Sequence, residues 1–301
     1  MSFPYVTDMI NAAFGTRWNL PVATFGLFFA LAVLLATYVA TRTVKQYEER
    51  GKLPTRSHVA FSDAALLSIL AGVVGARVFD ILDNLDHFVA DPMSMILTRT
   101  GFSIFGGLFF GIVAGVIFVR RRSIPVMPML DATAPAMMLG YGIGRLGCQV
   151  SGDGDWGIVS NMAIKPSWLP DWLWAQTYDG NIVGAVIAPP GVYPTPIYEV
   201  VMALAIFWIL WRLRFHKNRA GYLFSVYLMA AGFERLLIEK IRVNTRYEVL
   251  GTLVTQAEAI SFLLIIAGLI GVLATLSPNR LWPRAIVSVG VLAALSACAP
   301  H

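Results

Sequence analysis

Seven stretches of this chain stay largely apolar for about twenty residues each, at roughly 19–41, 60–82, 101–119, 125–148, 196–213, 221–240 and 257–276. That is the length at which a helix crosses the ~30 Å hydrocarbon core of a bilayer. A shorter stretch at roughly 284–299 is a candidate eighth span within an uncertain C-terminal region, 277–301. The composition agrees. Residues are 57% hydrophobic and 14% charged, against about 25% charged in a soluble domain, and mean hydropathy is +0.66. The fold class expected is all-α: a polytopic membrane helical bundle of seven transmembrane helices plus the candidate eighth, forming one integral membrane domain over 1–301. The first residues lack a basic n-region, so no cleavable signal peptide is expected. Cys148 and Cys298 make neither a disulfide framework nor a zinc set.

Basic residues assign the sides. Arg42, Lys45, Arg50, Lys52 and Arg56 follow the first run, and Arg120, Arg121 and Arg122 follow the third. Arg212, Arg214, Lys217 and Arg219 follow the fifth, and Arg280 and Arg284 the seventh. The intervening loops hold only Arg17, Arg99, Lys165, Lys240, Arg242 and Arg246. The N-terminus is therefore expected outside. The net charge of +5 follows this sidedness and does not point to nucleic acid.

Charges inside spans are costly and mark functional sites by default. In the orientation just assigned, Arg77 with Asp80, Arg145, Tyr198 with Glu199, and Arg235 with Glu239 all fall near the outer ends of their helices. Arg235, Glu239 and Arg242 are spaced i, i+4, i+7 and share a face. Such residues serve as internal salt bridges, as snorkelling side chains, or as a phosphate site, since guanidinium binds phosphate oxygens bidentately. Asp131 lies in the inner half of its helix, either as a proton or ion site or hydrogen-bonded to a neighbouring helix, which is the preferred reading.

Two glycine-rich segments stand out. GFSIFGGLFFG (Gly101–Gly111) invites close approach of a helix or a lipid chain to the backbone. GRLGCQVSGDGDWG (Gly144–Gly157) ends a helix with an arginine and then turns on Gly152, Gly154 and Gly157. Its aspartates resemble part of a calcium loop, but the remaining ligands are absent, so no metal is expected. The segment 149–195 is long for an outer loop and holds Trp156, Trp168, Trp172 and Trp174. Tryptophan favours membrane interfaces, so this segment reads as an interfacial cap over the site or as a plain anchoring belt.

In this order, these pieces resemble the prolipoprotein diacylglyceryl transferase family. IFGGLFFG is similar to its HGGL segment, and GRLGCQVSGDGDWG to its G-R-[apolar]-[small]-N-F-x-N-G-E-x-x-G signature. YPTPIYE (Tyr193–Glu199) is similar to its HP[ST]QLYE, and Gly221–Arg242 to its G-x-x-R-x-x-x-E-x-x-R helix. The resemblance implies an enzyme of the bacterial inner (cytoplasmic) membrane, multi-pass, with its site at the outer leaflet and no cofactor. It would move the diacylglyceryl group of phosphatidylglycerol to the lipobox cysteine of a preprolipoprotein signal peptide, forming a thioether and releasing glycerol phosphate. It implies catalytic roles for Arg235, Glu239 and Asp153, the two acids orienting the arginines or accepting a proton. It implies substrate-binding roles for Arg145, Arg77, Gly106, Gly107, Gly157, Tyr198, Glu199 and Arg242. A divergent member with another acceptor, or a non-catalytic phospholipid-binding role, is the alternative. A channel or transporter would instead string its charges along a through-path.

The chain departs from the family at base-like and phenolic positions. Phe105 stands for histidine, Phe25 and Ala231 for tyrosines, Tyr193 for histidine, Cys148 and Ser151 for asparagines, and Asp153 for glutamate followed by one inserted residue. His87, a carboxylate or the substrate thiol itself is left to manage the proton. Leu295–Cys298 reads LSAC, like a lipobox, but only three residues follow it, and the match is read as chance.

Overall fold

The computed structural model describes residues 2–93, 103–215, 219–244, 246–249 and 252–276. The candidate eighth span, the LSAC segment with Cys298, and Arg99 lie outside the described residues, as do the side chains of His87 and Phe105. The described chain is mostly helical. Its elements in order are α1 (Val6–Phe14), α2 (Thr24–Glu49), α3 (Ser57–Asp83), α4 (Leu85–Ala90), α5 (Ile104–Arg121), α6 (Val126–Ser151), α7 (Thr195–Leu213), α8 (Tyr222–Glu239), a hairpin of β1 (Arg246–Val249) and β2 (Thr252–Thr255), and α9 (Gln256–Leu276).

Each of the seven apolar runs falls on one helix. Four of these, α2, α3, α7 and α9, are long and apolar enough to cross a membrane. The apolar windows of α2 and α3 are only 17% and 11% buried, so their greasy surface faces outward. Phe29, Leu34, Leu66 and Val74 are all more than half exposed. A water-soluble protein does not display apolar surface on that scale. The helices α6, with Asp131 and Arg145, and α8, with Glu234, Arg235 and Glu239, are less apolar and are not among those four.

The described contacts divide into two compact units that interleave along the chain. One comprises the N-terminal segment to Tyr38, Pro135–Leu213 and Phe233–Thr245; the other comprises Val39–Ala134, Arg214–Gly232 and the chain from Arg246 onward.

In the second unit, α2 overruns its apolar stretch because its last turns supply core residues. Val44 and Tyr47 pack with Leu53, Ala60, Val119, Ile124 and Met129, and the Tyr47 hydroxyl donates to the Arg214 carbonyl at 2.6 Å. Helices α3 and α5 meet backbone to backbone. A Cβ on Gly75 would lie 2.5 Å from the Gly106 carbonyl oxygen, and one on Gly107 would lie 3.3 Å from that of Gly72. Asp131, on α6, accepts the Gly221 and Phe224 amides at 2.7 and 2.8 Å. It thereby satisfies orphan donors at the start of α8, the neighbouring-helix role preferred from sequence.

In the first unit, α1 was not anticipated: nine residues are too short to register as a span. The Tyr5 amide donates to Asp8 at its start, and Gly15 at φ 65° ends it. The chain before it is stitched to the end of α6 and to the following loop, Phe3 N–H donating to Val150 O and Ser2 N–H to Asp179 O. That loop is a folded cap. Val159 and Gln176 both bridge Val192, and short 3₁₀ turns occupy Met162–Ile164 and Asp171–Leu173. The cap tryptophans divide by environment. Trp156 packs on Tyr178 and Trp174 on Tyr193, at ring separations of 5.0 and 5.3 Å, whereas Trp168 and Trp172 are 80% and 60% exposed. Only the latter pair is free to serve as an interfacial belt.

Candidate active site

Within the first unit, three guanidinium groups gather on one carboxylate. Glu199 lies in the first turn and a half of α7, where the helix N-terminus favours negative charge, and it is fully buried. Thr195 anchors that helix start by donating to the Asp155 carbonyl at 2.7 Å. Arg145, near the end of α6, places Nε 3.4 Å from Glu199 Oε2. Arg242, just past α8, places Nη1 3.5 Å from Glu199 Oε1, and Arg235 on α8 places Nη1 3.9 Å from the same oxygen. The Tyr141 hydroxyl, one turn before Arg145, lies 3.0 Å from Glu199 Oε1 and 3.3 Å from Glu234 Oε1. Its ring stacks under the Arg145 guanidinium at 5.2 Å.

Two further carboxylates complete the network. Asp155 pairs with Arg145 Nη1 through one oxygen and with Arg242 Nη2 at 2.6 Å through the other. Glu239 lies 3.0 Å from Arg235 Nη2, and its other oxygen accepts from Asn244 at 2.5 Å. Even so, among the described residues Arg235 Nη1 and Arg242 Nε are buried with no hydrogen-bond acceptor, and Glu199 Oε2 and Glu239 Oε2 with no hydrogen-bond donor. Buried polar atoms in that condition are rare, and here unpaired donors and acceptors share one cluster, so its ion pairs are loosely made. With each arginine and each of Asp155, Glu199 and Glu239 ionised, the cluster is near neutral, which is how three cations are tolerated out of water.

Asp155 and Asp153 stand in contrasting environments. Burial pushes the Asp155 carboxyl up, but the Arg145 and Arg242 guanidiniums outweigh it and hold the group below the usual carboxylate range. Burial dominates at Asp153, and its carboxyl is raised. Burial lowers the Arg242 guanidinium, and Asp155 and Glu199 more than restore it.

The residues expected from sequence are thus distributed as follows. Arg145, Glu199, Arg235, Glu239 and Arg242 come together. Asp153 accepts the Asp155 amide at 3.2 Å and neighbours the buried Cys148 thiol; the arginine-orienting place foreseen for it is taken by Asp155. Tyr198 ties α7 to the cap, donating to the Leu173 carbonyl at 2.6 Å. Gly157 is a packing point: a Cβ there would lie 2.5 Å from the Ile241 carbonyl oxygen, and the Gly157–Arg242 bridge holds the arginine in register. Arg77 belongs to the second unit, where Nη1 lies 3.2 Å from Asp80. Gly106 and Gly107 are there too, in the α3–α5 contact. Tyr141 and Glu234 were not picked out beforehand, and Asp155 only as part of a calcium-like loop, not as a partner of the arginines. Tyr141 had a usable signal, its i, i+4 spacing to Arg145.

Cys148 Sγ and carboxylate oxygens of Asp153 and Asp155 lie within 4.8 Å of one another. The set suits a cation poorly, because Asp155 is already neutralised by two guanidiniums that would repel one.

Helices long and apolar enough to cross a membrane, with outward apolar faces, define an integral membrane protein. The sequence profile described as prolipoprotein diacylglyceryl transferase matches residues 12–274, and the chain belongs to that family. It is 30% identical over 270 residues to the phosphatidylglycerol–prolipoprotein diacylglyceryl transferase of Leptospira interrogans, covering 80% of this chain and 77% of that protein. It is 28% identical over 226 residues to the protein of the same name from Bacillus cytotoxicus, covering 75% and 78%. The Bacillus anthracis protein of that name is 27% identical over 226 residues, with 75% and 78% coverage.

Proposed function

We propose that this protein transfers the diacylglyceryl group of phosphatidylglycerol to the lipobox cysteine of a preprolipoprotein. It does so at the outer leaflet of a bacterial inner membrane, as a bundle of seven spans with its N-terminus outside. The thiol sulfur attacks the diacylglyceryl carbon bonded to the phosphate oxygen. An S–C bond forms, the C–O bond breaks, and glycerol phosphate leaves, with one more negative charge than the phosphodiester carried when the thiol proton stays on the protein. The thiol proton goes to a carboxylate of the site or to the departing phosphate.

The protein's task is to place two substrates and to offset charge growing on the leaving phosphate. Preorganised donors in a water-poor site do this best. The observation that carries the reading is the set of three guanidiniums around buried Glu199, with Arg235 Nη1 and Arg242 Nε lacking hydrogen-bond acceptors among the described residues. Arg145 holds the headgroup and Arg235 assists the leaving phosphate. Glu199, Asp155 and Glu239 keep the arginines apart and aimed before the lipid arrives. The nucleophile belongs to the substrate, so the site needs no serine or cysteine of its own, and Cys148 remains a packing residue.

The test is complementation of a bacterium depleted of its own diacylglyceryl transferase. Rescue by this chain, with lipid-modified lipoprotein detected by mass, is expected. Failure to rescue by a chain that is expressed and inserted would leave a phospholipid-binding role.

A further inference from the structure

An open groove of about 530 Å³ lies within the first unit, lined by Gln149, Trp172, Ala175, Gln176, Thr177 and Ile197. The helix ends that carry the cluster also build this groove. Gln149 is one turn beyond Arg145 on α6, and Ile197 is two residues before Glu199 on α7. No charged side chain lines it, so it offers nothing to an anionic headgroup.

What it offers is a pair of oriented carboxamides. The Trp172 carbonyl can only accept, so the nitrogen of Gln176 faces it, at 2.7 Å. The Gln176 oxygen therefore faces Gln149 and accepts from its nitrogen at 2.8 Å. The Gln149 oxygen then accepts from the Tyr178 hydroxyl at 2.7 Å. Each carboxamide is fixed at both ends, and among the described residues each keeps one N–H and one lone pair. Paired donors and acceptors without charge match a polypeptide main chain, which presents one of each per residue. Ala175 and Thr177 are small lining residues, and Trp172 and Ile197 give apolar walls suited to the small and apolar residues of a lipobox.

We propose that this groove binds the main chain of the acceptor polypeptide next to its modified cysteine, through Gln149 and Gln176. The assignment rests on the transferase reading above. The site then has two chemically distinct halves: arginines for the lipid phosphate and carboxamides for the peptide.

The experiment uses the full-length protein in detergent with phosphatidylglycerol and a synthetic lipobox peptide. In Gln176→Ala the peptide KM rises about tenfold, while the phosphatidylglycerol KM and the rate at saturating peptide stay within about twofold. Ala175→Leu adds bulk at a lining position that supplies no member of the carboxamide chain and is expected to give the same pattern, which a merely structural role for Gln176 would not. An unchanged peptide KM in Ala175→Leu, or a raised lipid KM in either variant, overturns the proposal. Binding of a fluorescent copy of the peptide without lipid separates the two readings. If the wild type transfers nothing yet binds peptide, with about tenfold weaker binding in Ala175→Leu, the groove stands and the reaction falls. Equal binding in both, or no binding to the wild type, sinks the groove.

Discussion

Two carboxylates are withdrawn from solvent almost completely, Asp131 in the second unit and Glu199 in the first, at 1% and 0% exposure. They solve the cost of burial in different ways. Asp131 takes two short bonds from backbone amides at the start of α8, at 2.7 and 2.8 Å. Those donors belong to the fold and do not move without it. Glu199 is surrounded by side chains, with guanidinium contacts of 3.4, 3.5 and 3.9 Å. Several long ion pairs that share one acceptor can be redistributed when an anion enters. The difference separates a charge that holds helices from a charge that keeps cations ready.

The largest expected effect tests the second half of that comparison. Arg145→Ala and Arg235→Ala each remove a positively charged donor from the cluster, and loss of one such donor costs about 10²–10³ in rate. Transfer of labelled diacylglyceryl to peptide is expected to fall by at least that factor in both, with the variants still inserted and thermally folded. Normal turnover in both would remove the arginines from the mechanism.

The next effect sets the two carboxylates directly against each other. Asp131→Ala leaves the α8 amides without their acceptors, a loss of about 1–3 kcal/mol in stability, while turnover per folded molecule stays within about threefold. Glu199→Gln keeps the shape but removes the charge that the three guanidiniums share. Turnover is expected to drop about tenfold to a hundredfold, with a smaller change in melting temperature than in Asp131→Ala. Melting and turnover measured on the same preparations decide it; the reverse pattern would erase the distinction.

Legibility followed the same divide. The positions of α2, α3 and α5–α9 could be read from apolar length, because nothing else in a chain places twenty apolar residues together. Asp131's helix-bonding role was also readable as the ordinary fate of a buried acid. In the site, Arg145, Glu199, Arg235 and Glu239 stood out because charge inside an apolar run is conspicuous, and Arg242 because it continues the i, i+4, i+7 face of Arg235 and Glu239. Asp155 was missed in favour of Asp153 because the two lie either side of Gly154, at φ 102°. Which of them turns inward is set by backbone torsions that spacing does not encode. Glu234 was masked by Glu239, whose i+4 spacing to Arg235 looked like the whole story; its contact is to Tyr141, across helices. The helix α1 and the internal pairing of segment 149–195, which reads from sequence as a cap or a belt, escaped because their partners, Val150, Asp179 and Val192, are distant in sequence.

A smaller effect is expected where the cap meets the cluster. Gly157→Ala puts a methyl 2.5 Å from the Ile241 carbonyl oxygen and 2.9 Å from Thr195 Cγ2. Backbone must give way, at about 1–3 kcal/mol, and the displaced segment is the one that carries Arg242. Turnover is expected to fall several-fold with the peptide KM unchanged. A variant with lowered melting temperature but full turnover would show that Arg242 keeps its place without the bridge.

The smallest effect is one of slope with pH, and it has opposite signs at the two neighbouring aspartates. Asp155 titrates below the ordinary aspartate value of about 3.9 in the folded protein, so the native state binds that proton more weakly than the unfolded chain. Its contribution to stability is complete above about pH 3.9 and is lost as pH falls toward the depressed value. Asp153 titrates above the ordinary value. Its contribution is complete below about pH 3.9 and is lost as pH rises through the raised value. Melting temperature against pH should therefore lose part of its acid-side fall in Asp155→Asn. Asp153→Asn should lose slope on the other side and melt slightly higher than the wild type at about pH 7. An acid limb unchanged in Asp155→Asn would mean that the arginines do not hold that carboxylate in its charged form, and the contrast between a cluster of readied cations and a fixed helix cap would lose its electrostatic basis.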